Sequence, residues 1–459
     1  MILFAHSNFM VQDDKQMARM RPYAPLSTLI AAALLRREGH EVALFDATFA
    51  MGIDAFERRL RATRPSVVAL MEDNFNFLTK MCTTVRRESA LAMIRLASER
   101  GCFVAVNGPD ASDNPAAYFQ AGARAVIEGD GEATMARVAG LWAKGKTDLR
   151  EIAGLVLPET GTTGPHRPTR ELDALPLPAW DLVDVENYRR AWGGSLSWNV
   201  AASRGCPYAC NWCAKPTFGR RYTVRSAENV VAEMAAIKRE IAPDHLWFTD
   251  DILGLDPDWI EAFADAIERH DARLPFSMQS RVNLITPRVA AGLAKAGAAE
   301  VWLGVESGSQ AILDAMDKGT QVNGARTATR LLRQHGIRVC WFIQLGYPSE
   351  EWDDILATRD LIRDEMPDDI GVSVAYPLPG TVFHDRVRAQ LGAQRNWHDT
   401  GELAMLFQGT YETAFYRRIR DLLHREVETG KADTFGWQVL DRQAHDYRSP
   451  TPMCVVAGG

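Results

Sequence analysis

The chain has 459 residues, 46% of them hydrophobic and 24% charged. This is the balance of an ordinary globular protein, and it excludes a disordered or fibrous chain. At roughly 100–200 residues per domain, the length predicts two or three domains. Lys and Arg number 52 against 59 Asp and Glu, a net charge of −7, which argues against a broad phosphate-binding footprint and so against a nucleic-acid partner. The start, Met1-Ile-Leu-Phe-Ala-His6, lacks the pattern of a signal peptide. The longest apolar run, Leu29 to Leu35, is far too short to span a membrane. A cytoplasmic location is expected.

Along residues 1–150, short apolar runs at 2–5, 41–45, 67–71, 103–106 and 125–127 read as buried strands. Helical patterns at 26–37, 54–62, 86–100, 115–120 and 132–144 separate them. The alternation predicts a doubly wound, flavodoxin- or Rossmann-like parallel sheet, with ligands bound beyond the carboxyl ends of its strands. Residues 151–195 carry Pro158, Pro165, Pro168, Pro176 and Pro178 and read as a linker with at most a small hairpin. A second alternation follows over 196–384. Its strands are expected at 197–202, 245–248, 276–278, 301–304, 338–343 and 370–374. Six such units fit a partial (β/α)6 TIM-like barrel better than a closed eightfold one. The remainder, 385–459, reads as a helical, aromatic C-terminal segment.

Seven cysteines, an odd number, make a disulfide framework a poor reading. Cys82, Cys102, Cys340 and Cys454 are scattered, whereas Cys206, Cys210 and Cys213 crowd into one loop after the first strand of the second unit. Three thiolates spaced C-x3-C-x2-C can hold three irons of a [4Fe–4S] cluster and leave the fourth open. A structural zinc site wants four ligands, and the fourth would have to come from a distant His166 or His245. Polar groups recur at successive strand ends: Thr249-Asp250-Asp251, Gln279-Ser280-Arg281, Glu306, Gln344 and Tyr376. In barrel-like folds such groups face one cavity.

The cysteine spacing, with Trp212 before the last thiol, resembles the signature of the radical S-adenosylmethionine (SAM) superfamily. The resemblance implies that SAM chelates the open iron and is cleaved reductively to a 5′-deoxyadenosyl radical. It further implies that Trp212 flanks the adenine, and that Asp250, Asp251, Ser280, Arg281 and Glu306 orient the methionine and ribose groups. Gln344 and Tyr376 are cavity residues in this reading. No general acid or base is assigned.

The N-terminal unit resembles the cobalamin-binding domain of the B12-dependent members of that superfamily, near the anaerobic magnesium-protoporphyrin monomethyl ester cyclases and the C-methyltransferases. The matching stretches are Asn107-Gly108-Pro109-Asp110 after the fourth strand and Glu128-Gly129-Asp130-Gly131-Glu132 after the fifth. With Asn74, after the third strand, the residues Asn107, Gly108, Pro109, Gly129, Gly131 and Glu132 are the cobalamin contacts that the resemblance implies. The chain departs from the family's usual Gly-Gly-x-His, and it has no D-x-H-x-x-G, so a histidine-ligated cobalt is not supported.

The function expected is functionalisation of an unactivated carbon of a small molecule, by C-methylation, with a flavodoxin or ferredoxin as the implied electron donor. The alternatives are an oxidative cyclase or ring-rearranging enzyme, a tRNA-modifying methylthiotransferase-like enzyme, and a non-catalytic iron–sulfur protein. A cyclase acting on a tetrapyrrole would use Tyr411, Phe415, Tyr416, Phe435 and Trp437 of the tail as stacking surfaces, although such aromatics more often form core.

Overall fold

The computed structural model describes residues 1–213, 218–444, 446 and 448–449; Cys454 lies outside the described residues. Five strands, β1 (Ile2–Ala5), β2 (Val42–Phe45), β3 (Val67–Met71), β4 (Phe103–Asn107) and β5 (Ala125–Ile127), pair in parallel in the order β2-β1-β3-β4-β5. β1, β3, β4 and β5 are buried along their whole length. A parallel sheet covered by helices on both faces demands this, and it is why these strands read as continuous apolar runs. Chain order reverses between β1 and β3, which makes their carboxyl ends the ligand-binding crevice of a doubly wound sheet.

The proline-rich stretch is more than a linker. β6 (Leu155–Leu157) and β7 (Gly161–Thr162) form a hairpin that adds antiparallel to β5 and extends the first sheet to seven strands. The second sheet contains β8 (Ser197–Val200), and the strand expected over 197–202 stops at Val200. The chain then enters β9 (Ser203–Arg204), which pairs antiparallel with β10 (Thr223–Val224). The cysteine loop is therefore closed at its base by a two-stranded ribbon.

β11 (His245–Phe248), β12 (Phe276–Arg281), β13 (Ala298–Glu306), β14 (Arg338–Leu345) and β15 (Asp369–Val374) complete a six-stranded, all-parallel half-barrel, in the order β15-β14-β13-β12-β11-β8. Its helices start where local chemistry starts them: Ser226, Asp256 and Thr286 accept backbone N–H bonds from the first turns, and Pro257 and Pro287 occupy first-turn positions. The tail contributes helices Thr413–Thr429 and Thr434–Gln443. Tyr411, Phe415, Tyr416 and Trp437 are buried in the main core, while Phe435 is 73% exposed. Four of the five tail aromatics thus pack the protein, and Phe435 stands exposed. No described helix is long and apolar enough to cross a membrane.

Candidate active site

The cysteine loop begins at Arg204-Gly205-Cys206. Gly205 has φ +76°, and a Cβ there would lie 2.2 Å from the Arg221 carbonyl oxygen, so glycine is required. Asp250, at the end of β11, takes the Ala202 N–H at 3.1 Å and the Ser203 hydroxyl at 2.5 Å, clamping the strand that leads into the loop. Burial pushes the Asp250 carboxyl up to about 7, against those hydrogen bonds.

Further along, Asn211 anchors the loop to three places. Its side-chain amide donates to the Ala315 carbonyl and the Asp317 carboxylate, each at 2.8 Å, and its oxygen accepts from the Tyr347 hydroxyl at 2.8 Å. Its backbone carbonyl accepts from Phe383 N–H at 2.9 Å. Nothing in the sequence pattern marked Asn211, because every partner lies at least 100 residues away.

Arg281, read as a SAM contact, stands against the loop. One guanidinium nitrogen donates to Cys210 Sγ at 3.2 Å, another donates to the Lys318 carbonyl, and the plane lies 3.8 Å from the centre of the Tyr208 ring. Glu306 is buried with φ +69°, beyond a register shift in β13, and pairs with Lys318 Nζ at 2.7 Å. A Cβ at Gly304 would lie 2.8 Å from each of those charged groups. Lys318 also stands 6.0 Å from the Trp212 ring. Trp212 packs against the apolar cluster around Ile312, Met316 and Phe383, and its indole N–H has no partner. The Gln344 side-chain oxygen is likewise buried and unpartnered.

Three other expected SAM contacts are occupied elsewhere. The Ser280 hydroxyl donates to the Leu253 carbonyl at 2.8 Å. One Asp251 oxygen pairs with Lys80 of the N-terminal unit at 2.5 Å, and the other is unpartnered. The Tyr376 hydroxyl donates to the Met81 carbonyl at 3.1 Å and accepts from Trp397 N–H at 3.3 Å, tying β15 to the N-terminal unit and the tail.

The expected cobalamin residues gather at the carboxyl ends of β3, β4 and β5, where they bind one another. Asn74 donates to Asn107 Oδ1 at 2.9 Å, and Asn107 donates to the carbonyls of Ile127 and Gly129 at 2.9 and 3.1 Å. Gly131 leaves room for the Asn107 amide, 2.4 Å from where a Cβ would sit. Gly129 leaves room for His166, and Gly108, ahead of Pro109, for Glu72. Glu132 is engaged across the domain junction, where Arg204 forks onto it with two bonds of 3.1 Å and reaches Asp130 at 2.9 Å. His166 Nε2 lies 2.6 Å from the other Asp130 oxygen. Burial alone would raise Asp130, yet His166 and Arg204 hold it below the usual carboxylate range; burial leaves Glu132 raised despite Arg204. Neither Arg204 nor Lys80 was marked by any sequence pattern.

None of the six described cysteines is in a disulfide, and the Arg281 guanidinium against Cys210 suits an anionic sulfur. Among the described residues no three His, Cys, Asp or Glu side chains converge on one ion-sized point. In an iron–sulfur cluster each cysteine binds a different iron, so convergence is not required. At the β1/β3 switch point, a small cavity with room for about one water is lined by Ser7, Glu72, Thr83, Arg86 and Pro109. Ser7 Oγ, Thr83 Oγ1 and Arg86 Nη2 are buried there without partners, as a polar ligand tail would require.

Glu350, in the loop after β14, is fully buried; one oxygen accepts from Gly346 N–H at 2.6 Å and the other has no partner. Burial pushes its carboxyl from 4.5 up to about 8, against the Gly346 bond. Because the folded value is the higher one, the stability it contributes is complete below about pH 4.5 and is lost as pH rises through about 8. Glu350→Gln keeps an acceptor for Gly346 and is expected to flatten that decline. Urea midpoints across this range check it; a decline as steep in the variant would contradict it.

Half-barrel, three-thiol loop and charged strand ends together define a class. Residues 200–362 match the sequence profile of the radical SAM superfamily; the chain carries that domain and is an enzyme. Its relatives include proteins named as methyltransferases and others named as anaerobic magnesium-protoporphyrin IX monomethyl ester cyclases. An uncharacterised methyltransferase of Pyrococcus horikoshii is 25% identical over 81% of this chain and 80% of its own length. The hopanoid C-3 methylase of Methylococcus capsulatus is 29% identical over 78% and 67%. In fold, the chain resembles the radical SAM methyltransferase TsrM of Kitasatospora setae, solved with cobalamin and a [4Fe–4S] cluster. The TM-score is 0.71 at 19% identity, covering 85% of this chain and 74% of that one.

Proposed function

We propose that this protein is a cobalamin-dependent radical SAM enzyme that methylates an unactivated carbon of a small molecule. The observation that carries the reading is the junction. The residue two before Cys206 is ion-paired to the strand ends of the N-terminal sheet, so a ligand on that sheet and a cluster on the loop meet at one interface.

Cys206, Cys210 and Cys213 would hold the [4Fe–4S] cluster, which supplies an open iron for SAM and the electron for its cleavage. Cobalamin, held at the switch point by Ser7, Thr83 and Arg86, would supply the methyl carrier. The chain's own part is positional. Arg281 offsets charge on the Cys210 sulfur, Asn211 and Asp250 fix the loop, and Glu306 with Lys318 offers opposite charges suited to an amino-acid zwitterion. Asn211, Asp250, Arg281, Glu306 and Lys318 are buried, which limits the access of water to a reactive intermediate. An external one-electron donor of the flavodoxin or ferredoxin kind completes the reading. Burial of Tyr411, Phe415, Tyr416 and Trp437 counts against a stacking surface for a tetrapyrrole on the tail.

Anaerobically reconstituted protein is expected to retain cobalamin through gel filtration, seen in its absorption spectrum beside that of the cluster. Arg86→Met is expected to lower the cobalamin content and leave the iron content unchanged. Protein that retains no cobalamin under these conditions would overturn the B12 half of the proposal.

A further inference from the structure

The half-barrel has two faces. One is covered by helices: Phe248 packs on Phe263, and the Trp341 N–H donates to Thr329 at 3.1 Å. The other presents the alternate residues, among them Trp247, Trp302 and Phe342, each partly exposed. These three belong to none of the hydrophobic clusters among the described residues. Large aromatics facing open space inside a barrel are unusual unless something binds there.

The geometry is that of a prepared surface. Trp302 and Phe342 stack at 4.9 Å with 27° between their planes. The Trp302 N–H is tied to Glu300 at 2.7 Å, and Glu300 is held in turn by Ser277 and Arg338 at 3.3 Å each. The polar edge is satisfied and the ring orientation set, which leaves the faces for a ligand. Across the sheet is Gly371, where a Cβ would come within 3.2 Å of Phe342 and 3.5 Å of Trp302; any side chain there would crowd the rings.

The wall is also in the right place. Phe342 is paired with Gly304, and Gly304 with Arg281, which touches Cys210. Trp302 lies two residues, about 7 Å of strand, below that level. On the same face stand two buried amide oxygens without partners, Asn199 Oδ1 and Gln344 Oε1.

We infer that Trp247, Trp302 and Phe342 form the substrate-binding wall, and that the substrate is a rigid, apolar ring system carrying hydrogen-bond donors at its margin for Asn199 and Gln344. This rests on the enzymatic reading above. Planar conjugated rings and saturated polycycles share the required flat apolar surface, so the test uses a probe of each: indole and 1-adamantanol, in equilibrium dialysis against the anaerobically reconstituted full chain.

At least one probe is expected to bind, and Trp302→Ala to weaken it about tenfold or more. Phe435→Ala, exposed on the tail, is expected to leave binding unchanged. Gly371→Val, which removes nothing and fills the space, should give the same loss as Trp302→Ala and guards against misfolding of that variant. Preference for indole or for adamantanol identifies the kind of ring. Binding of neither probe, or binding indifferent to both wall variants, overturns the inference. Cofactor spectra of the same samples keep the two readings apart. Cofactors present without wall-dependent binding defeats the wall alone; wall-dependent binding without cofactors supports the wall and defeats the cofactor assignment.

Discussion

Arg204→Met is expected to destabilise the folded protein by about 3–5 kcal/mol, the usual cost of stranding buried charges. Side-chain exposure is 6% for Arg204, 2% for Asp130 and 1% for Glu132, so water cannot replace the guanidinium. His166 can still answer Asp130, but Glu132 loses both of its Arg204 bonds. The Arg204 plane also lies over Phe75 and Phe218, at 5.4 and 5.6 Å, so the variant loses cation–π contact with rings from both units. Denaturant unfolding measures the loss. A second substitution, Glu132→Gln, should restore part of it, because the stranded charge is then gone. A loss below about 1 kcal/mol, the range of an exposed pair, would show that the junction is not held by this cluster.

The second large effect is on the cluster. Cys210→Ala is expected to abolish iron–sulfur absorption and reduce SAM cleavage to background, since a cluster with one open iron has no spare protein ligand. The measurement is iron and sulfide content together with 5′-deoxyadenosine released. Cys102→Ala, half-buried in the N-terminal unit, is the control and should retain both. Cleavage surviving in Cys210→Ala would remove the cysteine loop from the chemistry.

What could be read in the sequence was local or periodic. The three thiols stand within eight residues, and the strands of both sheets announced themselves as buried apolar runs, so the two-unit α/β architecture and the cysteine loop were visible at once. A small hairpin was legible in the linker, but its addition to the first sheet was not, because its strands are three and two residues long and its register depends on β5. The site was legible in part. Arg281 and Glu306, read as SAM contacts, stand against Cys210 and Lys318. The stretch from Glu128 to Glu132 was read for its glycines as a cradle; in the structure those glycines make room for Asn107 and His166, and Glu132 meets Arg204 from 72 residues away. Tyr376 read as a cavity residue because it follows a strand, yet its hydroxyl is taken by Met81, 295 residues distant. Asn211 and Lys318 escaped for the same reason. Long-range pairing leaves no trace in local spacing.

Reductive cleavage of SAM on the Cys206–Cys210–Cys213 loop can be measured in one assay. Anaerobically reconstituted protein is mixed with SAM and dithionite, and 5′-deoxyadenosine is quantified against the Cys206→Ala variant. The wild type is expected to release 5′-deoxyadenosine, and the variant none above background. S-adenosylhomocysteine as the sole nucleoside product would contradict it, because methyl transfer would then proceed without the radical.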